Sequence, residues 1–227
     1  MSYFLKHVIS SAIKYGFIKR QDRRLLKEFS EKYKPFNAPP IFNSALFYPS
    51  AGLDLIIPLI LGLPYCRDFY FYEWEPKFYI DDIEKIHCFF PTLNGITVIK
   101  TDQFDWIVEN EKRLISFKHN SIERTIHWVH KDNKDFLTRN VNLAFYFHRG
   151  DSYGEGGSGQ FWDSDLLPEL MKKVPNDYRC LFVTDGEPRG LLESVKEKAH
   201  EFKIHENMGR YYFGILPSQL QYSCINN

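Results

Sequence analysis

The chain alternates between short apolar runs and stretches in which apolar residues recur with helical spacing. The apolar runs predict strands at 45–48, 68–74, 96–100, 141–147, 180–184 and 211–216. Helical periodicity predicts helices at 53–62, 78–87, 166–174 and 191–202. Strands that alternate with helices are typical of an α/β fold with a mostly parallel, doubly wound sheet that carries helices on both faces.

Two regions depart from this alternation. Residues 113–118 and 125–130 form two apolar–polar runs around Asn120 and Ser121, which predicts an antiparallel hairpin inserted into the sheet. Residues 1–34 have a helical pattern and are followed by a proline-rich connector. We therefore expect a helical N-terminal extension at 1–34 and a single α/β domain at 41–227.

The stretch 48–54, Tyr-Pro-Ser-Ala-Gly-Leu-Asp, joins the first predicted strand to the first predicted helix of the domain. Its small residues let a ligand approach the backbone closely. The start of the following helix offers free N–H groups to an anionic or polar ligand. The pattern therefore predicts a Rossmann-like ligand site on a Rossmann-like sheet.

Composition narrows the possible partners. The 227 residues include 29 Lys and Arg against 29 Asp and Glu, so net charge does not support nucleic-acid binding. The four cysteines lack CxxC spacing, which fits a reducing, cytoplasmic compartment. The N-terminus resembles no signal peptide, and the apolar run at 53–63 is too short to span a membrane. The sequence does not indicate an oligomeric state.

Polar residues follow several of the predicted strands. In a mostly parallel sheet the carboxyl ends of the strands share one edge, where ligands bind. Glu73 comes 21 residues after Gly52, near the spacing at which an acidic residue accepts hydrogen bonds from a ribose diol. Asp102 follows the third predicted strand. The candidate catalytic residues follow the fourth predicted strand and are His148, Asp151 and Glu155.

The turn at 48–54 and Glu73 resemble the cofactor turn and the acidic ribose-binding position of class I S-adenosylmethionine-dependent methyltransferases. The resemblance covers roughly residues 41–216 in element order, including an antiparallel strand near the C-terminus. It implies a site for S-adenosylmethionine or a related nucleoside-type small molecule, formed by Pro49, Ser50, Ala51, Gly52, Asp54, Glu73 and Asp102. Tyr48 stands where these turns usually have Asp, and Asp54 replaces the second small residue. No Asn/Asp-Pro-Pro-aromatic motif follows the fourth strand, so methylation of DNA base amines is not implied.

Two other classes of function remain open at the level of sequence. Carboxylates after the last predicted parallel strands suit Mg²⁺, which would fit a metal-dependent phosphoryl-transfer or hydrolytic enzyme. These carboxylates are Asp151, Glu155, Asp163, Asp165, Asp185 and Glu187. Alternatively, the altered turn is compatible with a non-catalytic binding module, because a fold does not by itself determine function.

Overall fold

A computed structural model describes the central sheet and the segments packed on it. The described residues are 44–49, 56–63, 65–72, 96–101, 112–119, 121–129, 131–148, 166–176, 180–184 and 212–216. The expected helices at 2–33, 78–87 and 191–202 lie outside these ranges.

Eight strands and three helices make up the described part of the chain. The strands are β1 Ser44–Tyr48, β2 Asp68–Tyr72, β3 Ile96–Thr101, β4 Lys112–His119, β5 Ile122–Val129, β6 Asn142–His148, β7 Cys180–Thr184 and β8 Tyr212–Leu216. The helices are α1 Ile56–Gly62, α2 Asp135–Thr138 and α3 Leu166–Met171. Every strand lies where the hydrophobic pattern predicts one, within two residues at each end except at the start of β5, which begins three residues earlier, while α2 was not predicted.

The strands form one mixed sheet in the order β3-β4-β5-β2-β1-β6-β7-β8. The five central strands, from β5 to β7, are parallel to one another. At the two ends, β3 pairs antiparallel with β4, β4 with β5, and β8 with β7. The expected α/β class and the antiparallel last strand are therefore confirmed.

The predicted hairpin also contributes one strand to the parallel part of the sheet. Its two strands, β4 and β5, pair antiparallel as expected, from Lys112↔Val129 to His119↔Ile122. However, β5 also pairs in parallel with β2, from Asp68↔Thr125 to Tyr72↔Val129. β5 therefore stands beside β2 in the central sheet, and β3, the third predicted strand along the chain, lies at the outer edge.

Helices cover both faces of the sheet. The Cα of Gly62 in α1 approaches one face so closely that an added Cβ would lie 2.8 Å from Leu46 Cδ1 and 3.2 Å from Phe145 Cδ1. Phe47 points to the opposite face, since successive strand side chains alternate. There it belongs to a core cluster that includes Phe136 of α2 and Leu170 of α3. We call these the α1 face and the α2–α3 face.

The core is built largely from stacked and edge-on aromatic rings. Phe47 stacks on Phe136 with 4.1 Å between ring centroids, and Tyr146 stacks on Phe182 at 5.2 Å. On the other face, Tyr48 meets Phe147 edge-on at 4.9 Å. Such pairs add about 0.5–1.5 kcal/mol beyond the burial of their area. The aromatic-rich sequence therefore serves the packing of a thick, two-sided core.

Candidate functional site

The carboxyl ends of the five parallel strands lie along one edge of the sheet, which we call the C-terminal edge. From one side to the other, the strands end at Val129, Tyr72, Tyr48, His148 and Thr184. The chain leaves β1 toward β2 and β5 on one side, and later returns to β6 and β7 on the other. Ligands of open α/β sheets bind at such a reversal of strand order. The candidate site is therefore the C-terminal edge between β1 and β6.

Two of the residues expected at the site lie in the described part of the chain. Pro49 follows β1 directly and is buried, and His148 ends β6 with no exposed surface. The parallel pairing of β1 with β6 brings both to the C-terminal edge. Because His148 is fully covered, proton transfer through its imidazole would need a conformational opening. The other expected residues lie outside the described ranges and are Ser50, Ala51, Gly52, Asp54, Glu73, Asp102, Asp151 and Glu155.

Asp102 was expected at the site because it follows the third predicted strand, β3. Instead, β3 is four strand positions from β1, or roughly 19 Å at the usual spacing between strands. The segment that follows β5 takes the place beside the end of β2. Residues 131–135 of that segment therefore become candidate site residues that the sequence interpretation missed.

Asp135 organises this segment through several hydrogen bonds and ion pairs. Its Oδ2 accepts hydrogen bonds from the Tyr72 hydroxyl at 2.8 Å and from Arg139 Nε at 2.9 Å and Nη2 at 2.5 Å. Lys131 Nζ lies 3.4 Å from its Oδ1. The i,i+4 spacing of Asp135 and Arg139 was a sequence signal for a helical ion pair. Tyr72 is 63 positions earlier, and nothing local pointed to it.

The protonation states of this group are well separated. Partial burial acts to raise the pKa of Asp135, but the hydrogen bonds from Arg139 and Tyr72 and the positive charges of Arg139 and Lys131 lower it overall. Burial, followed by the hydrogen bond to Asp135, raises the pKa of the Tyr72 hydroxyl far above its ordinary value. At neutral pH a charged carboxylate therefore accepts a hydrogen bond from a neutral phenol, which is the stronger, charge-assisted kind.

A second polar group lies at the opposite edge of the sheet. His127 Nε2 is 2.7 Å from Asp68 Oδ1, and its ring stacks on Tyr70 at 4.2 Å between centroids. Nearby, buried Arg124 donates a hydrogen bond to the carbonyl oxygen of Cys66. Asp68 begins β2, so this group faces away from the C-terminal edge.

The described residues contain no group of His, Cys, Asp and Glu side chains arranged to hold a metal ion. In the same part of the chain, no helix has the length and apolar character needed to cross a membrane. Cys66 and Cys180 are both buried free thiols. No protein-family model matches the chain, and a search of curated proteins finds no match.

Proposed function

We propose that the protein is a methyltransferase-like, Rossmann-like protein that binds S-adenosylmethionine or a related nucleoside ligand at its C-terminal edge. The observation that carries this proposal is the order of the parallel strands. Numbered along the chain, the five central strands stand in the order third, second, first, fourth, fifth, which is the order of the doubly wound dinucleotide-binding sheet.

The connections between strands support the same interpretation. The helix between β1 and β2 packs on the α1 face, whereas the helices that precede β6 and β7 pack on the α2–α3 face. A change of face at β1 is what right-handed crossovers require when the direction of strand addition reverses. It leaves a crevice at the reversal point, next to the small-residue turn at 49–54.

Residues of the connections that follow these strand ends have the chemistry that a nucleoside needs. Gly52 lies in the connection between β1 and α1, and Glu73 follows β2 directly. A carboxylate offers two acceptor oxygens to the two hydroxyls of a ribose. Asp132 and Asn133, after β5, supply further polar groups at the neighbouring strand end.

A calorimetric titration with S-adenosylhomocysteine and S-adenosylmethionine tests the proposal directly. We expect saturable binding with one site per chain and no requirement for a divalent cation. Absence of heat and of any thermal stabilisation at millimolar ligand would contradict it. A parallel titration with Mg²⁺ or Mn²⁺ separates the metal-dependent alternative, which predicts cation binding by the loop carboxylates.

Replacement of Glu73 identifies the ribose contact. Glu73→Ala should weaken adenosine binding by about 1–3 kcal/mol, the scale of hydrogen bonds to a charged group. Binding of 2′,3′-dideoxyadenosine should change far less, because that ligand lacks both hydroxyls. Equal losses for the two ligands would show that Glu73 acts on the fold and not on the ribose.

A further inference from the structure

The hydrogen bonds of Asp135 join two strand ends that are remote in sequence. Tyr72 is the last residue of β2, and its register partner Val129 is the last residue of β5. The Tyr72 hydroxyl reaches past Val129 to Asp135, at the start of α2. The end of β2 and the segment after β5 are thus tied together at the C-terminal edge by a side chain as well as by the sheet.

The segment after β5 is also held in place by Phe136, the residue that follows Asp135 in sequence. Phe136 is fully buried, lies parallel to Phe47 of β1, and meets the rings of Tyr70 and Tyr72 edge-on. Arg139, one turn later, holds the same carboxylate oxygen as Tyr72. Asp135 therefore has little freedom to move relative to β1 and β2, and neither does Tyr72.

Tyr72 directly precedes Glu73, and Asp135 directly follows the segment 131–134. We propose that Tyr72, Asp135 and Arg139 are positioning residues that hold the end of β2 and residues 131–134 in register for the ribose end of the bound nucleoside. This inference rests on the proposed function. Its physical reason is that the hydrogen bonds of Asp135 fix the end of β2 against the segment after β5, at neighbouring strand ends of the C-terminal edge.

Removal of one hydroxyl tests the inference with a control on the same strand. Tyr72→Phe keeps the ring and its packing but loses the hydrogen bond to Asp135. Tyr70→Phe removes an equivalent hydroxyl two residues earlier, on the same face of the sheet. With adenosine as the calorimetric probe, we expect about five- to tenfold weaker binding for Tyr72→Phe, the scale of one hydrogen bond, and less than twofold change for Tyr70→Phe.

A second ligand distinguishes positioning from a general loosening of the fold. For 2′,3′-dideoxyadenosine, which lacks the ribose hydroxyls, Tyr72→Phe should bind as tightly as the unmodified protein. In an Asp135→Ala background, which lacks the acceptor, adding Tyr72→Phe should produce a much smaller change in adenosine affinity, because the two side chains act through one hydrogen bond.

The possible failures have different meanings. If the unmodified protein binds neither adenosine nor S-adenosylhomocysteine, the proposed function is wrong, and the positioning role with it. If the unmodified protein binds adenosine and Tyr72→Phe binds it equally well, only the positioning role is wrong. Equal losses for adenosine and dideoxyadenosine would likewise overturn it, because they would reflect a structural effect.

Discussion

At the scale of single residues, the fold places ionisable side chains in environments that shift their pKa values. Asp135 is kept ionised by the donors around it. His119 is kept neutral, because burial and the positive charge of Arg124 lower its pKa from 6.5 to about 4. The two groups therefore make stability depend on pH in different ranges.

His119 should make the protein lose stability in mild acid. Its folded-state pKa lies below that of the unfolded chain, so the unfolded state takes up the proton first as pH falls. The stabilisation is complete above about pH 6.5 and is lost progressively as pH falls toward 4. The free energy of unfolding, measured with urea across this range, should fall more steeply for the unmodified protein than for His119→Gln.

The contribution of Asp135 is lost at lower pH. Its folded-state pKa lies below the ordinary value of 3.8, so its stabilisation is present above that value and is lost as pH falls further. Asp135→Asn should therefore leave the slope between pH 6.5 and 5 unchanged. An altered slope in that range for Asp135→Asn, or an unaltered one for His119→Gln, would contradict the assignment of the two groups.

At the scale of elements, the β4–β5 hairpin determines which strands lie on the far side of β2 from β1. Its two-residue connection, Asn120-Ser121, lies between the last register pair His119↔Ile122. Ser121 has a φ of 63°, in the left-handed region that favours glycine. Turns of this kind match the twist of the flanking strands when their central residues have positive φ, as Ser121 does.

Relief of this strain should stabilise the hairpin. We expect Ser121→Gly to raise the free energy of unfolding by up to about 1 kcal/mol, because a left-handed conformation costs roughly 1–2 kcal/mol for a residue with a Cβ and part of the gain is offset by the flexibility of glycine in the unfolded chain. Ser121→Ala, which keeps the Cβ, should give no such gain in urea unfolding. Stabilisation by both substitutions would implicate the hydroxyl instead.

The contact between α1 and the sheet depends on the absence of a side chain at Gly62. An added Cβ would lie 2.8 Å from Leu46 Cδ1 and 3.0 Å from Phe69 Cε1, both on fully buried residues. We expect Gly62→Ala to lower the free energy of unfolding by about 1–3 kcal/mol, as overpacking does in other cores. Thermal unfolding measures the effect, and an unchanged midpoint would mean that α1 can shift outward freely.

At the scale of the whole molecule, the site depends on the meeting of distant segments at one edge of the sheet. The ends of β1, β2 and β5 are brought together because these strands are neighbours and parallel. The end of β6 completes the edge from the other side of β1. None of these segments would form a ligand site alone.

Gly52→Val separates this site from the stability of the fold. The branched side chain should abolish binding of S-adenosylhomocysteine by blocking close approach to the turn, while the circular dichroism spectrum and unfolding midpoint stay near those of the unmodified protein. Gly62→Ala is the matched control, with lower stability and unchanged affinity in the folded protein. Full affinity in a folded Gly52→Val variant would remove the turn from the site.

The local pattern by itself determined which stretches are strands, the α/β class, and the antiparallel hairpin. The runs 45–48, 143–147 and 180–183 are apolar throughout, which is typical of strands buried on both faces of a sheet. The local pattern also predicted that the ends of the first and fourth predicted strands share an edge, as they do in a doubly wound sheet.

Only the tertiary structure decided which strand stands beside β2. β3 and β5 have comparable local patterns, and pairing between strands depends on contacts far apart in sequence that no short window contains. The same reason explains why Tyr72 and Asp135, 63 positions apart, were not recognised as partners. The hydrogen bond between Tyr72 and Asp135 forms only because β5, and not β3, lies beside β2.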